Sequence, residues 1–86
     1  MSMLIFKTPQ DKEENKNLDQ KFKLHLMQRL KDVRNSKKMT QQEVSEKAGL
    51  HLTYISHLEL GKYRPTLFVA WKIANALGVS LDKLLG

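Results

Sequence analysis

A helix start at Thr40 is followed at close range by two helix stops, Gly49 and Gly61. Thr40-Gln41-Gln42-Glu43 has the form of a capping box, in which Thr40 caps the first turn and Glu43 reaches back three residues later. The spacing predicts a helix from about Gln41 that turns Val44 and Ala48 inward and stops at Gly49. Glycine there admits the left-handed conformation that ends a helix abruptly. A further helix follows at once, over roughly 51–60, and closes at Gly61. Helices this short are not stable alone. The rest of the chain must therefore form a platform that holds the pair.

Apolar periodicity supplies that platform. Phe22, Leu26, Leu30 and Val33, with Met27 beside them, mark one face of an amphipathic helix from about Leu18. It should fade around Asn35-Ser36-Lys37-Lys38, where basic side chains suit a helix C-terminus. Pro65-Thr66 opens a fourth helix with Leu67, Ala70, Ile73, Ala74 and Leu77 on its buried face and Gly78 at its end. Ser80-Leu81-Asp82-Lys83 begins a short fifth helix. With no strand signal, the fold class is all-α. Residues 10–17 are almost wholly polar, so 1–17 read as a flexible leader, with Leu4, Ile5 and Phe6 as an arm able to dock, and 18–86 as one domain.

Composition narrows the function classes. Eighty-six residues leave no room for a second domain of ordinary size. The chain has no cysteine, which excludes disulfides, thiolate metal sites and thiol nucleophiles. Apolar runs are only a few residues, too short to span a membrane, and the start lacks the pattern of a secretory signal, so a cytoplasmic protein is expected. The formal charge of +6 is unevenly placed. Residues 1–20 hold three basic and four acidic side chains, whereas 21–86 hold twelve and five. A folded segment with that excess attracts polyanions, nucleic acid first.

Two short helices joined by a glycine turn have the spacing of a helix-turn-helix. On the helix over 51–60, Ile55 and Leu58 lie together with Glu59 and His51 flanking them, while Leu52, Thr53, Ser56, His57 and Leu60 fall on the opposite side. A face of short polar groups, an imidazole and leucines is not a merely solvated one, which would favour Lys and Glu.

The chain resembles the phage-repressor/Cro-like (XRE-type) helix-turn-helix family over residues 26–85. The resemblance rests on Leu30-x-x-Val33-Arg34, Met39-Thr40-Gln41-Gln42-Glu43-Val44, Ala48-Gly49-Leu50, Tyr54-Ile55-Ser56-x-Leu58-Glu59-x-Gly61-Lys62, Pro65-Thr66-Leu67 and Ile73-Ala74-x-Ala76-Leu77-Gly78-Val79-Ser80-Leu81. Residues 49–56 are also similar to restriction–modification controller proteins, a small dimeric branch of that family. The resemblance implies a five-helix, lambda-repressor-like DNA-binding domain and a transcriptional regulator. It implies that Leu52, Thr53 and His57, with Ser56 between them, face base edges in the major groove. By the same resemblance Gln41 holds a phosphate and braces the recognition helix, and Tyr54, Lys62, Tyr63 and Arg64 line the DNA backbone. Thr40 and His51 sit at expected helix starts, where backbone N–H groups attract phosphate. Arg34 and Glu59 occupy the positions of a buried ion pair between the first helix and the recognition helix.

Two departures bear on specificity. Many relatives carry Gln or Arg at the position of Leu52, where a bidentate hydrogen bond reads a purine. Leucine offers only apolar contact, for which the major groove presents the thymine methyl. Leu60 replaces a polar or basic residue and removes one candidate phosphate contact.

One recognition helix reads only a few base pairs, so a homodimer on a palindromic operator is expected, with double-stranded DNA as the partner. Val79, Leu81, Leu84 and Leu85 are the expected dimer interface. Neither a cofactor nor a small-molecule effector is expected. His51 and His57 point apart on a helix, and no carboxylates cluster near them, so no metal site is expected. Ser56 and His57, as sequence neighbours on a helix, cannot act as a catalytic pair, and Trp71 reads as packing, so the chain should not be an enzyme. The alternative from another class is an antitoxin-type protein that binds a partner protein and autoregulates its operon, using residues 1–20.

Overall fold

The computed structural model describes residues 12–86, with side chains from Asn15 onward. The described residues form α1 (Lys12–Ser36), α2 (Gln41–Lys47), α3 (Tyr54–Glu59), α4 (Leu67–Leu77) and α5 (Leu81–Leu85), with no strand among them. The Leu4-Ile5-Phe6 arm lies outside the described residues.

Helices α2, α4 and α5 each start where the capping side chain satisfies an otherwise orphaned N–H. The Thr40 hydroxyl accepts from the Glu43 N–H at 3.0 Å, and the Glu43 carboxylate accepts from the Thr40 N–H at 2.7 Å. Thr66 and Ser80 cap α4 and α5 in the same sense, each accepting at 3.1 Å from the N–H three residues on. The stops are Schellman turns. After α2, the Leu50 N–H reaches back to the Ser45 carbonyl at 2.9 Å, with Gly49 left-handed at φ 74°. The first helix ends in the same way without a glycine. Lys38 adopts φ 56°, and the Met39 N–H reaches the Arg34 carbonyl at 3.2 Å.

The core draws on every helix: Leu30 and Val33 from α1, Val44 from α2 and Ala48 just past its end, Ile55 and Leu58 from α3, Ile73, Ala74, Ala76 and Leu77 from α4, and Leu84 from α5. Fully burying one such leucine or isoleucine is worth about 1.5–3 kcal/mol relative to leaving it exposed. This shared interior holds α2 and α3, too short to persist alone, at a fixed angle.

Four expectations from the sequence need correction. The first helix begins at Lys12, six residues before Leu18. From Gln10 to Ala48 the chain has no glycine or proline, and a helix anchored by its packed half extends along such a stretch at little cost per residue. Phe22 is exposed, because the buried stripe of α1 begins only at Leu26. Leu67 is 72% exposed, and Ala76 joins the buried face of α4 instead. Trp71 is exposed too, stacked on Phe68 with ring centroids 6.3 Å apart, rather than packed in the core.

Candidate nucleic-acid interface

The angle between α2 and α3 is fixed by buried polar contacts as well as by the core. Arg34 on α1 donates to Glu59 on α3 through Nε at 2.7 Å and Nη2 at 3.1 Å, and through Nη1 to the Met39 carbonyl at 2.9 Å. Gln41, the first residue of α2, donates through Nε2 to the same carboxylate at 2.9 Å. The Arg34 and Glu59 side chains are 12% and 2% exposed, so both charges lie away from water and each depends on the other. Gln41 thereby braces α3. One of its amide N–H groups is committed to that contact, and its half-buried stem reaches the surface only in part.

A contact that the sequence reading missed joins the same two helices. Ser45 is fully buried, and its Oγ accepts from the Ile55 N–H at 3.1 Å. Serine in a helix carries no signal of burial in a single sequence. Only its place beside Val44, on the inward side of α2, hints at it.

The start of α3 differs from the expected one. The helix begins at Tyr54, not His51, so His51, Leu52 and Thr53 form the turn that leads into it. Leu52 projects from that turn at 52% exposure. His51 Nδ1 lies 3.1 Å from the Thr53 hydroxyl, which ties the turn to itself. Thr40 caps the start of α2 as the sequence suggested, with its own N–H taken by Glu43, whereas His51 stands three residues ahead of α3 and is not at a helix start. Ser56 Oγ donates back to the Thr53 carbonyl at 2.8 Å, leaving its lone pairs for an outside donor.

Behind the turn lies a cluster of four rings. Tyr54 and Tyr63 pack with centroids 5.0 Å apart, and both lie partly buried against the core. His51 meets Tyr54 edge-on at 5.5 Å, and His57 meets Tyr63 edge-on at 5.3 Å. His57 Nδ1 lies 3.2 Å from the Tyr63 hydroxyl. Burial raises the Tyr54 pKa, and neighbouring Tyr63 adds to the effect, so the Tyr54 hydroxyl keeps its proton. Lys62 and Arg64 are exposed on the following loop, and Arg64 is ion-paired with Asp19 on the N-terminal half of α1.

Leu52, Thr53, Ser56 and His57 thus sit on or just ahead of α3, with Tyr54, Lys62, Tyr63 and Arg64 beside them. The expected dimer residues separate. Leu84 is 1% exposed and belongs to the core of its own chain, so it is withdrawn as a surface residue. Val79, Leu81 and Leu85 are half-buried. The large apolar side chains that are open lie elsewhere, at Leu67, Phe68 and Trp71 on α4, at Leu18, Phe22 and Leu24 on α1, and at Leu52 and Leu60 on either side of α3. Among the described residues no three His, Asp or Glu converge as metal ligands, and no helix is long and apolar enough to cross a membrane.

Two short helices locked together through Gln41–Glu59 and Ser45–Ile55, and tied to the first helix by a buried ion pair, with a polar and imidazole-bearing turn presented outward on a basic domain, define a helix-turn-helix domain. The chain matches the helix-turn-helix family HTH_3 over residues 30–84 and belongs to that family, whose members are DNA-binding transcriptional regulators and not enzymes. It is 36% identical over 59 residues to the immunity repressor protein of Bacillus phage phi105, covering 69% of this chain and 41% of that repressor. Its fold is similar to the crystal structure of the hypothetical transcription factor NHTF from Neisseria, with a TM-score of 0.72, 31% identity and 76% and 75% of the two chains covered. It is also similar to the restriction–modification controller protein C.AhdI from Aeromonas hydrophila, with a TM-score of 0.69, 27% identity and 72% and 94% covered.

Proposed function

We propose that this chain is a sequence-specific, cytoplasmic transcriptional repressor that acts as a homodimer on a palindromic operator. The observation that carries the reading is the bracing of α3 by Arg34, Glu59 and Gln41, which makes the outward turn a rigid reading head. Leu52, Thr53, Ser56 and His57 enter the major groove and read bases. Gln41, His51, Tyr54, Lys62 and Arg64 lie along the backbone, where such contacts set register and orientation. Leu52 meets a thymine methyl, its exposed side chain having no polar group to offer. No small-molecule effector is invoked; the concentration of the protein is the signal.

The second copy has apolar surface available at Val79, Leu81 and Leu85, and more of it at Leu67, Phe68 and Trp71. Aromatic side chains exposed together on one helix favour association. Two-fold pairing would set the half-sites about 34–36 Å apart.

Selection from random duplex DNA tests the reading, with affinities for the winner and a scrambled duplex at two salt concentrations. The expected winner is a palindrome with thymine in each half-site. Weak binding without sequence preference, fading with salt, would reduce the interaction to net charge. A monomer at tens of micromolar in analytical ultracentrifugation would overturn the dimer.

The antitoxin-type reading is supported by Leu18 and Phe22, which lie one helical turn apart and exposed on α1. Copurification of an untagged neighbouring gene product, abolished in the double variant Leu18→Ser, Phe22→Ser, would put it ahead.

A further inference from the structure

We infer that Tyr63 is a positioning residue for base recognition, holding the His57 imidazole in one orientation and one tautomer, and is not itself a backbone contact. The inference rests on the DNA-reading function proposed above.

Tyr63 stands outside α3, on the loop behind it, yet its side chain turns back toward the helix. Its hydroxyl lies 3.2 Å from His57 Nδ1, its partner among the described residues. The ring is fixed independently of the histidine, packed at 5.0 Å on Tyr54 and resting partly buried on the core. The imidazole stands edge-on to it at an interplanar angle of 88°. A phosphate contact needs the hydroxyl proton, which is unavailable once it is donated to Nδ1. This hydroxyl is engaged with the neighbouring side chain.

The consequence is chemical. In the neutral imidazole one nitrogen donates and the other accepts. With the Tyr63 O–H donating to Nδ1, the proton of the ring sits on Nε2. In the imidazolium both nitrogens donate, and the hydroxyl reverses to accept from Nδ1 while Nε2 still donates. With the hydroxyl as donor to the neutral ring, the arrangement assigned here, His57 presents an N–H donor at Nε2 in either charge state. The opposite neutral tautomer would make Nε2 an acceptor. Nε2 has no partner among the described residues. In the major groove, guanine, adenine N7 and thymine O4 offer acceptors, whereas cytosine presents its N4 amino donor. The base under His57 is thus one that presents an acceptor, with cytosine disfavoured.

The test uses the full chain as wild type, Tyr63→Phe, His57→Ala and the double variant. Each is put through selection from random duplexes and then titrated against the wild-type winner, single-base variants of that winner and a scrambled duplex. Phenylalanine keeps the ring packing and removes only the hydroxyl. The expected result is a Tyr63→Phe protein with an unchanged thermal midpoint and unchanged affinity for the scrambled duplex. It loses about five- to tenfold of discrimination at one position in each half-site. In the His57→Ala background the same change has no further effect. An equal loss of affinity for winner and scrambled duplex would make Tyr63 a backbone contact and overturn the inference, as would a discrimination loss that persists without His57. A wild-type protein that selects no sequence at all would overturn the DNA-reading function as well, an outcome distinct from either.

Discussion

The hydroxyl of Ser45 on α2 holds the backbone N–H of Ile55 at the start of α3, across a contact from which water is excluded. Ile55 lies in the first turn of α3, where the helix itself supplies no acceptor, so the serine satisfies a donor that burial would otherwise strand. Ser45→Ala should lower stability by about 1–3 kcal/mol, the usual cost of an unsatisfied buried group. Urea unfolding followed by circular dichroism measures it, and a midpoint equal to wild type would show that the N–H finds another partner.

The Arg34–Glu59 pair should behave asymmetrically. Glu59→Ala strands a guanidinium that is 12% exposed and removes the acceptor of Gln41 at the same time. A loss of about 3–5 kcal/mol is expected, with DNA binding lost mainly through unfolding. Gln41→Ala leaves the ion pair intact and should cost much less. Thermal midpoints of the two variants decide the matter, and Glu59→Ala with an unchanged midpoint but no binding would contradict it.

If Arg64 contacts the DNA backbone as proposed, Asp19 competes with DNA for it. Both side chains are well exposed, so the ion pair between them is cheap to break. Removing the carboxylate frees a cation on the loop after α3. Asp19→Asn should raise affinity for duplex DNA by about two- to fivefold at low salt and steepen the salt dependence by up to one phosphate's worth, a slope change of about −0.9. The gain should vanish in an Arg64→Ala background. Persistence there would mean that Asp19 acts by long-range repulsion alone.

Alkaline pH should weaken the fold through Tyr54. Its pKa is raised by burial, and by Tyr63 beside it, above the ordinary tyrosine value of 10.0. The folded state therefore holds the proton more tightly than the unfolded state. The associated stability is fully present below the unfolded pKa and is lost as pH rises through the folded one. Thermal midpoints from pH 8 to 11 should fall more steeply for wild type than for Tyr54→Phe. Parallel curves would place the tyrosine in an environment no different from water.

Much of this was legible in the sequence because caps and stops are local chemistry. Thr40 with Glu43, Gly49, Gly61, Thr66, Gly78 and Ser80 bound the short helices, and each works through atoms a few residues apart. What the sequence hid depends on the third dimension. Leu67 and Trp71 share helical spacing with buried neighbours, yet α4 meets the rest of the molecule along a narrower arc. Leu84 reads as surplus until α5 is seen folded back on α1. Tyr63, taken from the sequence as a surface residue, is drawn inward by Tyr54, and nothing in its local sequence reports that pairing.

The corner at Lys38 has a kinetic meaning. A lysine with positive φ is disfavoured locally, unlike the glycines that close the later helices. The guanidinium of Arg34 holds the carbonyl of Met39, one residue beyond, and is itself held by Glu59 from α3. Local preference does not make this corner. Its side-chain support, Arg34 held by Glu59, is complete only when a helix more than twenty residues downstream has packed, so we expect the corner to form on the native side of the folding barrier. Relieving the strain with Lys38→Gly should therefore slow unfolding and leave the folding rate nearly unchanged.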